Sequence, residues 1–305
     1  MKLKELQERQ SWSLEQKIDH SIGVIDQFYR IKKGQVYIGF SGGKDSTVLL
    51  WIARKIYPDI KAVFCNTRNE YPDIVKFVRN KKNNGENIEI IYPELTPGEV
   101  INMFGFPLIS KSTSGIIGKC KRNPNGLTHL NYVVNRNSQF ALPKKYMYLL
   151  DEPYMVDSKC CEYLKKKPFH KYQKETGLFP ITGEMASESV MRTNTYLKIG
   201  QCNVYSGRRP VSRPLSIWLE QDIWDCIKKY KIEIADIYNK GANRTGCMFC
   251  GYGCQFKDDN RLQLMYKNHP KFYQTCMKYS NNGVTYREAL KKFLAVNNLS
   301  LPDEK

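Results

Sequence analysis

The sequence predicts an α/β fold built on a doubly wound, mostly parallel sheet. Apolar runs of strand length alternate with helix-length segments through the first hundred residues, and the same alternation returns after residue 177. A parallel sheet requires this order because each crossover helix brings the chain back to the same edge. An apolar fraction of 41% with 12% aromatic residues also excludes a disordered chain.

Each element follows from a local pattern. Leu14, Ile18, Ile22, Ile25 and Tyr29 recur at helical spacing, which predicts an amphipathic helix over 13–30 that ends before Gly34. Strands are predicted, as short apolar runs, at 36–40, 61–65, 88–92, 178–182 and 210–215. Further helices are predicted at 47–56, 73–80, 98–104, 187–195 and 220–230, and around a cysteine-rich loop within 234–299.

Three regions are expected along the chain. Residues 1–33 form an N-terminal helix, 34–232 an α/β domain, and 233–305 a C-terminal helical region that carries the cysteine loop. The strand and helix patterns weaken after Gly105, so 105–174 is interpreted as a long insertion or substrate loop within the α/β domain.

The charge of the chain favours polyanionic partners. Its 305 residues include 48 Lys and Arg against 30 Asp and Glu, a net charge of +18. The insertion 105–174 has 13 basic and 4 acidic residues, which is half of that surplus. A surplus of this kind attracts nucleic acid, nucleotides or an acidic carrier protein. The alternative is a chain that is rich in lysine for solubility alone.

The sequence predicts a protein of the cytoplasm with no membrane partner. No stretch approaches the roughly 20 consecutive apolar residues that span a bilayer. The segment MKLKELQERQ has no apolar run behind its basic residues, unlike a secretory signal. Ten cysteines in a reducing compartment indicate free thiols or a metal site rather than disulfides.

The turn after the first predicted strand carries the strongest chemical signal. It consists of Phe40, Ser41, Gly42, Gly43, Lys44, Asp45 and Ser46. Two adjacent glycines expose the backbone, so that successive N–H groups and the N-terminus of the next helix bind one anion. The serines add hydroxyl groups, the lysine adds a positive charge, and the aspartate binds Mg²⁺ or caps the helix. The spacing is not that of a Walker A loop, and the alternative is an ordinary strand–turn–helix connection.

Residues 40–46 resemble the PP-loop of the ATP-pyrophosphatase, or adenine nucleotide α-hydrolase-like, superfamily. Over most of 30–255 the chain is similar to the phosphoadenosine phosphosulfate (PAPS) reductase family. Residues 64–73, FCNTRNEYPD, resemble the family's strand-end segment, with Arg68 at a usual glycine. Residues 181–192 resemble its I-T-G-x-R-x-x-x-S-x-x-R element, with Glu184 where an arginine is common. The stretch from Arg213 to Trp224 matches its P-L-x-x-W-x-x-x-D-V-W run.

This resemblance implies that the α/β domain 34–232 binds an adenine nucleotide. The ligand is ATP, or adenosine phosphosulfate (APS) or PAPS, together with Mg²⁺. The family's motifs place Asn66, Thr67, Gly183 and Arg192 beside residues 40–46 in the nucleotide site.

Four cysteines have the spacing of a metal site. Cys160 and Cys161 are adjacent, and Cys247 and Cys250 form a C-x-x-C pair 85 residues further on. The arrangement resembles the CC…CxxC of the iron–sulfur branch of the family, including its CC-x-x-x-K lysine, Lys165. The resemblance implies a [4Fe–4S] cluster, which four thiolates satisfy. Zinc held by the same thiolates and unligated buried cysteines are the alternatives.

Two further cysteines are candidate nucleophiles. Cys254 lies four residues after the C-x-x-C pair, and Cys120 stands among three basic residues. A thiolate becomes available when neighbouring cations lower the pKa of the thiol. With Lys44 and Asp45 these are the candidate catalytic residues, and the alternative for each cysteine is a small buried side chain.

The missing motif decides between activities within the family. APS and PAPS reductases resemble one another in a C-terminal Glu-Cys-Gly-x-His motif whose cysteine attacks the sulfate sulfur, and this sequence contains none. The resemblance therefore favours ATP-dependent adenylylation and sulfur transfer to an acceptor, a nucleic acid or a carrier protein, from an unidentified donor of sulfur or electrons. Two alternatives stay open: a reductase with a relocated nucleophile (Cys254, Cys202 or Cys120), and a nucleotide-binding regulator without turnover.

Overall fold

The computed structural model describes residues 2–136, 141–207 and 209–304. Its helices are α1 (Leu3–Gln10), α2 (Leu14–Ile31), α3 (Lys44–Arg54), α4 (Pro72–Asn83), α5 (Pro97–Phe104), α6 (Lys111–Arg122), α7 (Leu127–His129), α8 (Lys159–Cys161), α9 (Lys167–Thr176), α10 (Val190–Ile199), α11 (Glu220–Tyr230), α12 (Arg261–Asn268), α13 (Pro270–Met277) and α14 (Tyr286–Ala295). Its strands are β1 (Val36–Gly39), β2 (Ala62–Cys65), β3 (Ile88–Ile91), β4 (Leu108–Ile109), β5 (Phe179–Thr182), β6 (Asn203–Val204), β7 (Val211–Ser212), β8 (Gly251–Tyr252), β9 (Ser280–Asn281) and β10 (Val284–Thr285).

These elements form two compact units. Unit 1 comprises the described residues of Met1–Cys65, Asp73–Ile91 and His170–Tyr238. Unit 2 comprises Asn66–Pro72, Tyr92–Phe169 and the described residues of Asn239–Lys305. The domain boundaries that the sequence predicts after residues 33 and 232 remain predictions.

Unit 1 contains the central sheet, whose strand order is β3-β2-β1-β5-β7-β6. Every neighbouring pair is parallel except β6 with β7, which is antiparallel. Ile38 of β1 pairs with Ala62 of β2 on one side and with Ile181 of β5 on the other, and all three are fully buried. Burial on both faces is typical of parallel sheets, and the predicted doubly wound α/β fold is confirmed.

The helices of unit 1 begin at polar caps. The Ser13 side chain accepts a hydrogen bond from the Gln16 N–H at the start of α2, and Gln16 bonds back to the Ser13 N–H. At the end of α10, Gly200 adopts φ +76°, a left-handed conformation that favours glycine. The predicted helix at 187–195 starts later than expected because Ser189, rather than an earlier residue, caps α10.

Unit 2 is organised around an aromatic core and two small sheets. Phe106 packs against Tyr154 and Tyr286, with ring centroids 5.4 Å and 5.3 Å apart. The Tyr286 hydroxyl donates a hydrogen bond to the Phe249 carbonyl. Strands β4 and β8 pair in parallel, whereas β9 and β10 form an antiparallel pair. The helices α12 to α14 follow the cysteine loop, as the sequence predicted.

The weak pattern after Gly105 does not correspond to an open loop in the described residues. Helix α6 spans twelve residues of the predicted insertion, and a three-ten segment covers Lys144–Leu150. The Lys121 ammonium group donates hydrogen bonds to the carbonyls of Leu149, Glu152 and Tyr154. These contacts come from distant residues, so a local sequence window does not reveal them. Residues 137–140 of the insertion lie outside the described residues.

Across the described residues, no helix combines the length and the apolar character needed to cross a membrane.

Candidate functional site

The PP-loop, residues 40–46, joins the end of β1 to the first turn of α3. Gly42 has φ +72°, and a Cβ atom there would lie 2.8 Å from the Ile74 side chain and 2.9 Å from that of Val78. A side chain therefore fits neither the backbone conformation nor the space at this position. Phe40 is buried, with its ring 6.4 Å from that of Phe77, and anchors the loop to the core of unit 1.

The two serines of the PP-loop hold its shape. The Ser46 hydroxyl accepts a hydrogen bond from the Ser41 N–H at 3.1 Å and donates to the Gly43 carbonyl at 2.9 Å. The two hydroxyl oxygens are 3.0 Å apart, and the Gly43 N–H donates to the Ser41 hydroxyl at 3.3 Å. The hydroxyls thus organise the backbone whose N–H groups were predicted to face an anion.

Lys44 places a buried positive charge at the start of α3. Its side chain is 4% exposed, and its ammonium nitrogen lies 3.0 Å from a Glu220 carboxylate oxygen and 3.4 Å from one of Asp45. Burial alone would lower the pKa of Lys44, but the two carboxylates outweigh it, so that the pKa is raised. The backbone N–H of Lys44 donates to the Tyr238 hydroxyl at 2.8 Å.

Acidic groups gather beside the same turn. Burial raises the pKa of Asp45, and Lys44 offsets part of that shift. Burial also raises the pKa of Glu188, and the charges of Asp45 and Glu184 add to that effect. A Cβ atom on Gly183 would lie 3.3 Å from the Asp45 carbonyl, so the chain after β5 passes close to the start of α3. Carboxylates in this position are suitable ligands for a nucleotide-bound Mg²⁺.

Arg192 and Arg213, which follow β5 and β7 in the chain, are both paired with carboxylates. Arg192, 39% exposed, forms an ion pair with Glu188 one helical turn earlier. The Arg213 guanidinium lies 3.0 Å from the Glu184 carboxylate.

The cysteine site of unit 2 consists of Cys160, Cys161, Cys247 and Cys250. Cys160 is buried in α8, and the other three thiols are half-buried. The Cys250 N–H donates to the Cys247 carbonyl at 3.1 Å, which makes the C-x-x-C segment a tight turn. The chain then enters β8 at Gly251, where a Cβ atom would lie 2.5 Å from the Pro107 carbonyl of the neighbouring segment.

The four thiols are close enough to shift one another's pKa values. The pKa of Cys160 is raised by its hydrogen bond to Cys161, by burial, and by the nearby Cys161, Cys250 and Cys247. The pKa of Cys161 is lowered, first by that hydrogen bond and then by neighbouring lysines that include Lys165. Burial raises the pKa of Cys247 to about 12 against the attraction of Lys165.

Lys165 supplies positive charge to this site. The charge of Cys247 is the main reason that the pKa of Lys165 is raised, and a hydrogen bond to that thiol contributes. The ammonium nitrogen also lies 3.9 Å from a Glu70 carboxylate oxygen. Among the described residues, no three His, Cys, Asp or Glu side chains are arranged to hold a metal ion directly. The donor set of four soft thiols with a cation beside them is the one that iron–sulfur clusters use.

Comparison with known proteins places the chain in a family. The model of the phosphoadenosine phosphosulfate reductase domain matches residues 35–124 and 126–252, more than half of the chain. The chain belongs to the phosphoadenosine phosphosulfate reductase family. The predicted resemblance to that family is confirmed. The matched residues include both the PP-loop and the four cysteines of the cysteine site.

Sequence comparison finds distant relatives of the chain. The adenosine 5′-phosphosulfate reductase of Halalkalibacterium halodurans is 22% identical over 246 residues, which cover 79% of this chain and 84% of that protein. Two uncharacterised proteins of Methanocaldococcus jannaschii are 22% and 25% identical over 75% and 76% of this chain. The matched regions span only 45% and 39% of those two proteins, so the chain corresponds to less than half of their length.

Two solved structures are similar at low identity. A phosphoadenylyl-sulfate reductase from Candida auris, in a phosphate complex, has a TM-score of 0.43 at 13% identity, covering 81% of this chain and 96% of that one. The U34-tRNA thiolase NcsA from Methanococcus maripaludis, with its [4Fe–4S] cluster, has a TM-score of 0.36 at 13% identity, covering 91% and 89%.

The strand-end segment of the family is held by its own side chains. The side-chain amide oxygen of Asn66 accepts a hydrogen bond from the Arg68 N–H at 2.9 Å. The Thr67 N–H and hydroxyl donate hydrogen bonds to the Glu70 carboxylate at 2.9 Å and 2.8 Å. Arg68 has φ +64°, the left-handed conformation that favours the glycine usual in the family. Asn66 and Thr67 belong to unit 2, and their side chains stabilise the turn that contains Arg68.

The two candidate nucleophiles are both buried. The Cys254 thiol donates to the Cys250 carbonyl at 3.4 Å, and burial raises its pKa to about 12 although Arg261 opposes the shift. Cys120 lies on the inner face of α6, and burial raises its pKa as well. Both environments favour the thiol over the thiolate, and catalytic roles for these residues remain predictions.

Sequence reasoning missed Asn69. Its backbone carbonyl accepts from the N–H of Met248, a residue between the two cysteines of the C-x-x-C pair, at 2.8 Å. Its side chain is fully buried, and within the described residues neither amide atom has a hydrogen-bond partner. A single buried amide leaves no periodic pattern in the sequence. The one signal for Asn69 was its position four residues after the predicted strand 61–65.

Proposed function

We propose that this protein is an iron–sulfur enzyme that activates an acceptor by ATP-dependent adenylylation and then replaces the adenylate with sulfur. The observation that carries the proposal is that one chain combines a PP-loop, held in shape by its own hydrogen bonds, in unit 1 with a site of four thiols in unit 2. Membership of the PAPS reductase family supports the same nucleotide class.

The proposed chemistry has two balanced steps. An acceptor oxygen attacks the α-phosphorus of ATP, the bond to the β-phosphate oxygen breaks, and pyrophosphate leaves with Mg²⁺. The sulfur of a hydrosulfide donor then bonds to the acceptor carbon, the carbon–oxygen bond breaks, and AMP leaves. A persulfide donor would give a disulfide with the acceptor, and a second thiol would have to break the S–S bond to release the thiolated product. Lys44 and the N–H groups of the PP-loop stabilise the negative charge that develops on the phosphoryl oxygens. Asp45, beside Lys44 at the start of α3, would bind the Mg²⁺.

The cysteine site would hold a [4Fe–4S] cluster through Cys160, Cys161, Cys247 and Cys250. When bound, such a cluster supplies iron that coordinates sulfur or carries electrons. Lys165, whose pKa the charge of Cys247 raises, would offset the negative charge of the thiolates. Ten free cysteines in the chain also agree with the reducing cytoplasm as its location.

A nucleic acid is the acceptor that the charge distribution favours. The segment 105–174 has 13 basic and 4 acidic residues, and α6 alone ends in Lys119, Lys121 and Arg122. Contacts from lysine and arginine to phosphates provide affinity that does not depend on sequence.

One observation supports reduction of APS or PAPS instead. The Halalkalibacterium relative, which the chain matches over 84% of its length, is an adenosine 5′-phosphosulfate reductase. That reaction needs a cysteine that attacks the sulfate sulfur and releases AMP from APS, or adenosine 3′,5′-bisphosphate from PAPS. A thiol donor then reduces the S-sulfocysteine to give sulfite. Its candidates Cys254, Cys202 and Cys120 are all buried, and burial raises the pKa of each. We therefore rank reduction second.

Anaerobic reconstitution with iron and sulfide, followed by three assays, tests the proposal. We expect about four irons per chain, pyrophosphate release from ATP that single-stranded RNA or DNA stimulates, and no sulfite from APS or PAPS with thioredoxin. Lys44→Ala should abolish pyrophosphate release, whereas Lys55→Ala, at the other end of α3, should retain it. Sulfite release without ATP turnover would establish the reductase, and nucleotide binding without either product would leave only a regulator.

A further inference from the structure

A pocket in unit 1 has no part in the two steps proposed above, although one of its lining residues, Arg192, was predicted from the sequence to contact the nucleotide. It holds about 170 Å³ of space, less than the 300–1,000 Å³ typical of sites for drug-sized ligands. The lining residues come from the segment after β5, from α10 and from the turn after β7. They are Glu184, Met185, Ala186, Met191, Arg192, Thr195, Tyr196, Ile199, Gln201, Arg213 and Ser216.

The charges around this pocket cancel locally. Arg213 pairs with Glu184 at 3.0 Å, and Arg192 pairs with Glu188. Both guanidinium groups therefore have carboxylate partners before any ligand arrives. An anionic group would have to displace those partners, so the lining favours a neutral ligand.

The remaining wall suits a flat ring. Met185 and Met191 present flexible thioethers, which make favourable contacts with aromatic rings, and Tyr196 contributes an aromatic side chain. The Gln201 amide can both donate and accept hydrogen bonds, as the edge of a nucleobase requires.

The surroundings of the pocket suit the backbone of a nucleic acid. From residue 190 to residue 213 the sequence contains five lysines and arginines and no aspartate or glutamate, and three of the five remain when the paired Arg192 and Arg213 are set aside. Lys198 and Arg209 belong to this segment and are exposed. A neutral pocket within a basic segment matches a neutral base attached to a chain of phosphates.

The pocket also lies near the reactive end of the PP-loop. Gly183 comes just before its first lining residue, and a Cβ atom on Gly183 would lie 3.3 Å from the Asp45 carbonyl. A group held in the pocket is therefore on the side of unit 1 where β5 meets the first turn of α3.

We propose that the Met191 pocket, as defined by this lining, receives one unpaired base of a nucleic-acid acceptor. The inference rests on the proposed function and names the part of the acceptor that unit 1 recognises. Stacking on the thioethers and the tyrosine ring supplies the affinity, and only a base that has left a duplex reaches the pocket.

The test compares two neighbouring residues of α10. Met191 and Val190 are 76% and 78% exposed, but only Met191 lines the pocket. The reconstituted protein is titrated, without ATP, with a single-stranded oligonucleotide that carries 2-aminopurine. We expect a change in 2-aminopurine fluorescence, at least fivefold weaker binding by Met191→Ser, and binding within twofold of wild type by Val190→Ser. Ile199→Trp, which fills the pocket, should also weaken binding, and the same oligonucleotide as a duplex should give no fluorescence change.

Equal binding by the two serine variants, or equal binding of the duplex, would overturn the proposal. Met191→Ser that weakens ATP binding and leaves oligonucleotide binding unchanged would assign the pocket to the adenine of the nucleotide and overturn it too. Pyrophosphate release from ATP is measured separately on the wild-type protein. Its presence alongside a failed pocket test would reject the pocket and keep the proposed function.

Discussion

The PP-loop of unit 1 and the cysteine site of unit 2 differ in how their polar groups are stabilised before a ligand binds. Ser41, Gly43 and Ser46 satisfy one another by hydrogen bonds, and Lys44 has two carboxylate partners. In the cysteine site, the hydrogen bond to Cys161 raises the pKa of Cys160 and burial raises the pKa values of Cys247 and Cys250, whereas the pKa of Cys161 is lowered.

This difference teaches that the two sites depend on their ligands to different degrees. A loop whose groups are already paired keeps its shape when empty, and the ligand exchanges one set of partners for another. Buried thiols must lose their protons to bind metal, and a metal ion compensates for that charge. We therefore expect mutations in the cysteine site to act on cofactor loading, and mutations in the PP-loop to act on folding and nucleotide affinity.

The largest expected effect follows from removing one cysteine ligand. Cys250→Ser should reduce the iron content after anaerobic reconstitution from about four per chain to less than one, because the cluster would lose one of its four thiolate ligands. ATP affinity, which depends on unit 1, should stay within twofold of wild type. Iron analysis, visible absorbance and calorimetric titration with ATP measure both quantities.

Cys276→Ser provides the matched control, since Cys276 is a buried cysteine of α13 in the same unit. It should keep the full iron content. A colourless wild-type protein with one zinc per chain, or unchanged iron in Cys250→Ser, would contradict the assignment of the cluster.

The second prediction tests how far the PP-loop is preformed. Gly42→Ala should lower the free energy of unfolding by about 1–3 kcal/mol, because its φ of +72° and its contacts with Ile74 and Val78 leave no room for a Cβ atom. ATP affinity should fall at least tenfold as the loop shifts. Chemical denaturation and nucleotide titration measure the two effects.

Gly23 in α2 is the control for this substitution. No atom lies within 4 Å of a Cβ placed there, so Gly23→Ala should raise the free energy of unfolding by about 0.5–1 kcal/mol. If Gly42→Ala folds and binds ATP as well as Gly23→Ala does, the close packing of the PP-loop against α4 is not what shapes the nucleotide site.

The same comparison explains what could be predicted from the sequence. The PP-loop depends on adjacent residues, and α11 was predicted with its observed bounds, Glu220–Tyr230, because its apolar spacing and its acidic first turn are local signals. The two-residue strands β4 and β8 went unpredicted because Leu108 pairs with Gly251, far away in the chain. Helix α6 was not predicted. Its Lys121 donates hydrogen bonds to the carbonyls of Glu152 and Tyr154, which lie about thirty residues away and outside any local sequence window. The pairing of Arg213 with Glu184, 29 residues earlier, likewise emerges only in the folded chain, whereas Arg192 and Glu188 are four residues apart and pair locally.

The smallest expected effect concerns Tyr238, whose hydroxyl accepts the hydrogen bond from the Lys44 N–H at 2.8 Å. That N–H heads α3, where an anion would bind, so the hydroxyl competes with a phosphate oxygen for it. Tyr238→Phe releases the N–H, and ATP should bind about two- to tenfold more tightly, as expected for one net hydrogen bond of about 0.5–1.5 kcal/mol. Tyr230→Phe, on α11 of the same unit, should leave ATP affinity unchanged. Weaker binding in Tyr238→Phe alone would mean that the hydroxyl orients the loop for the nucleotide, and that even this site relies on a partner outside its own seven residues.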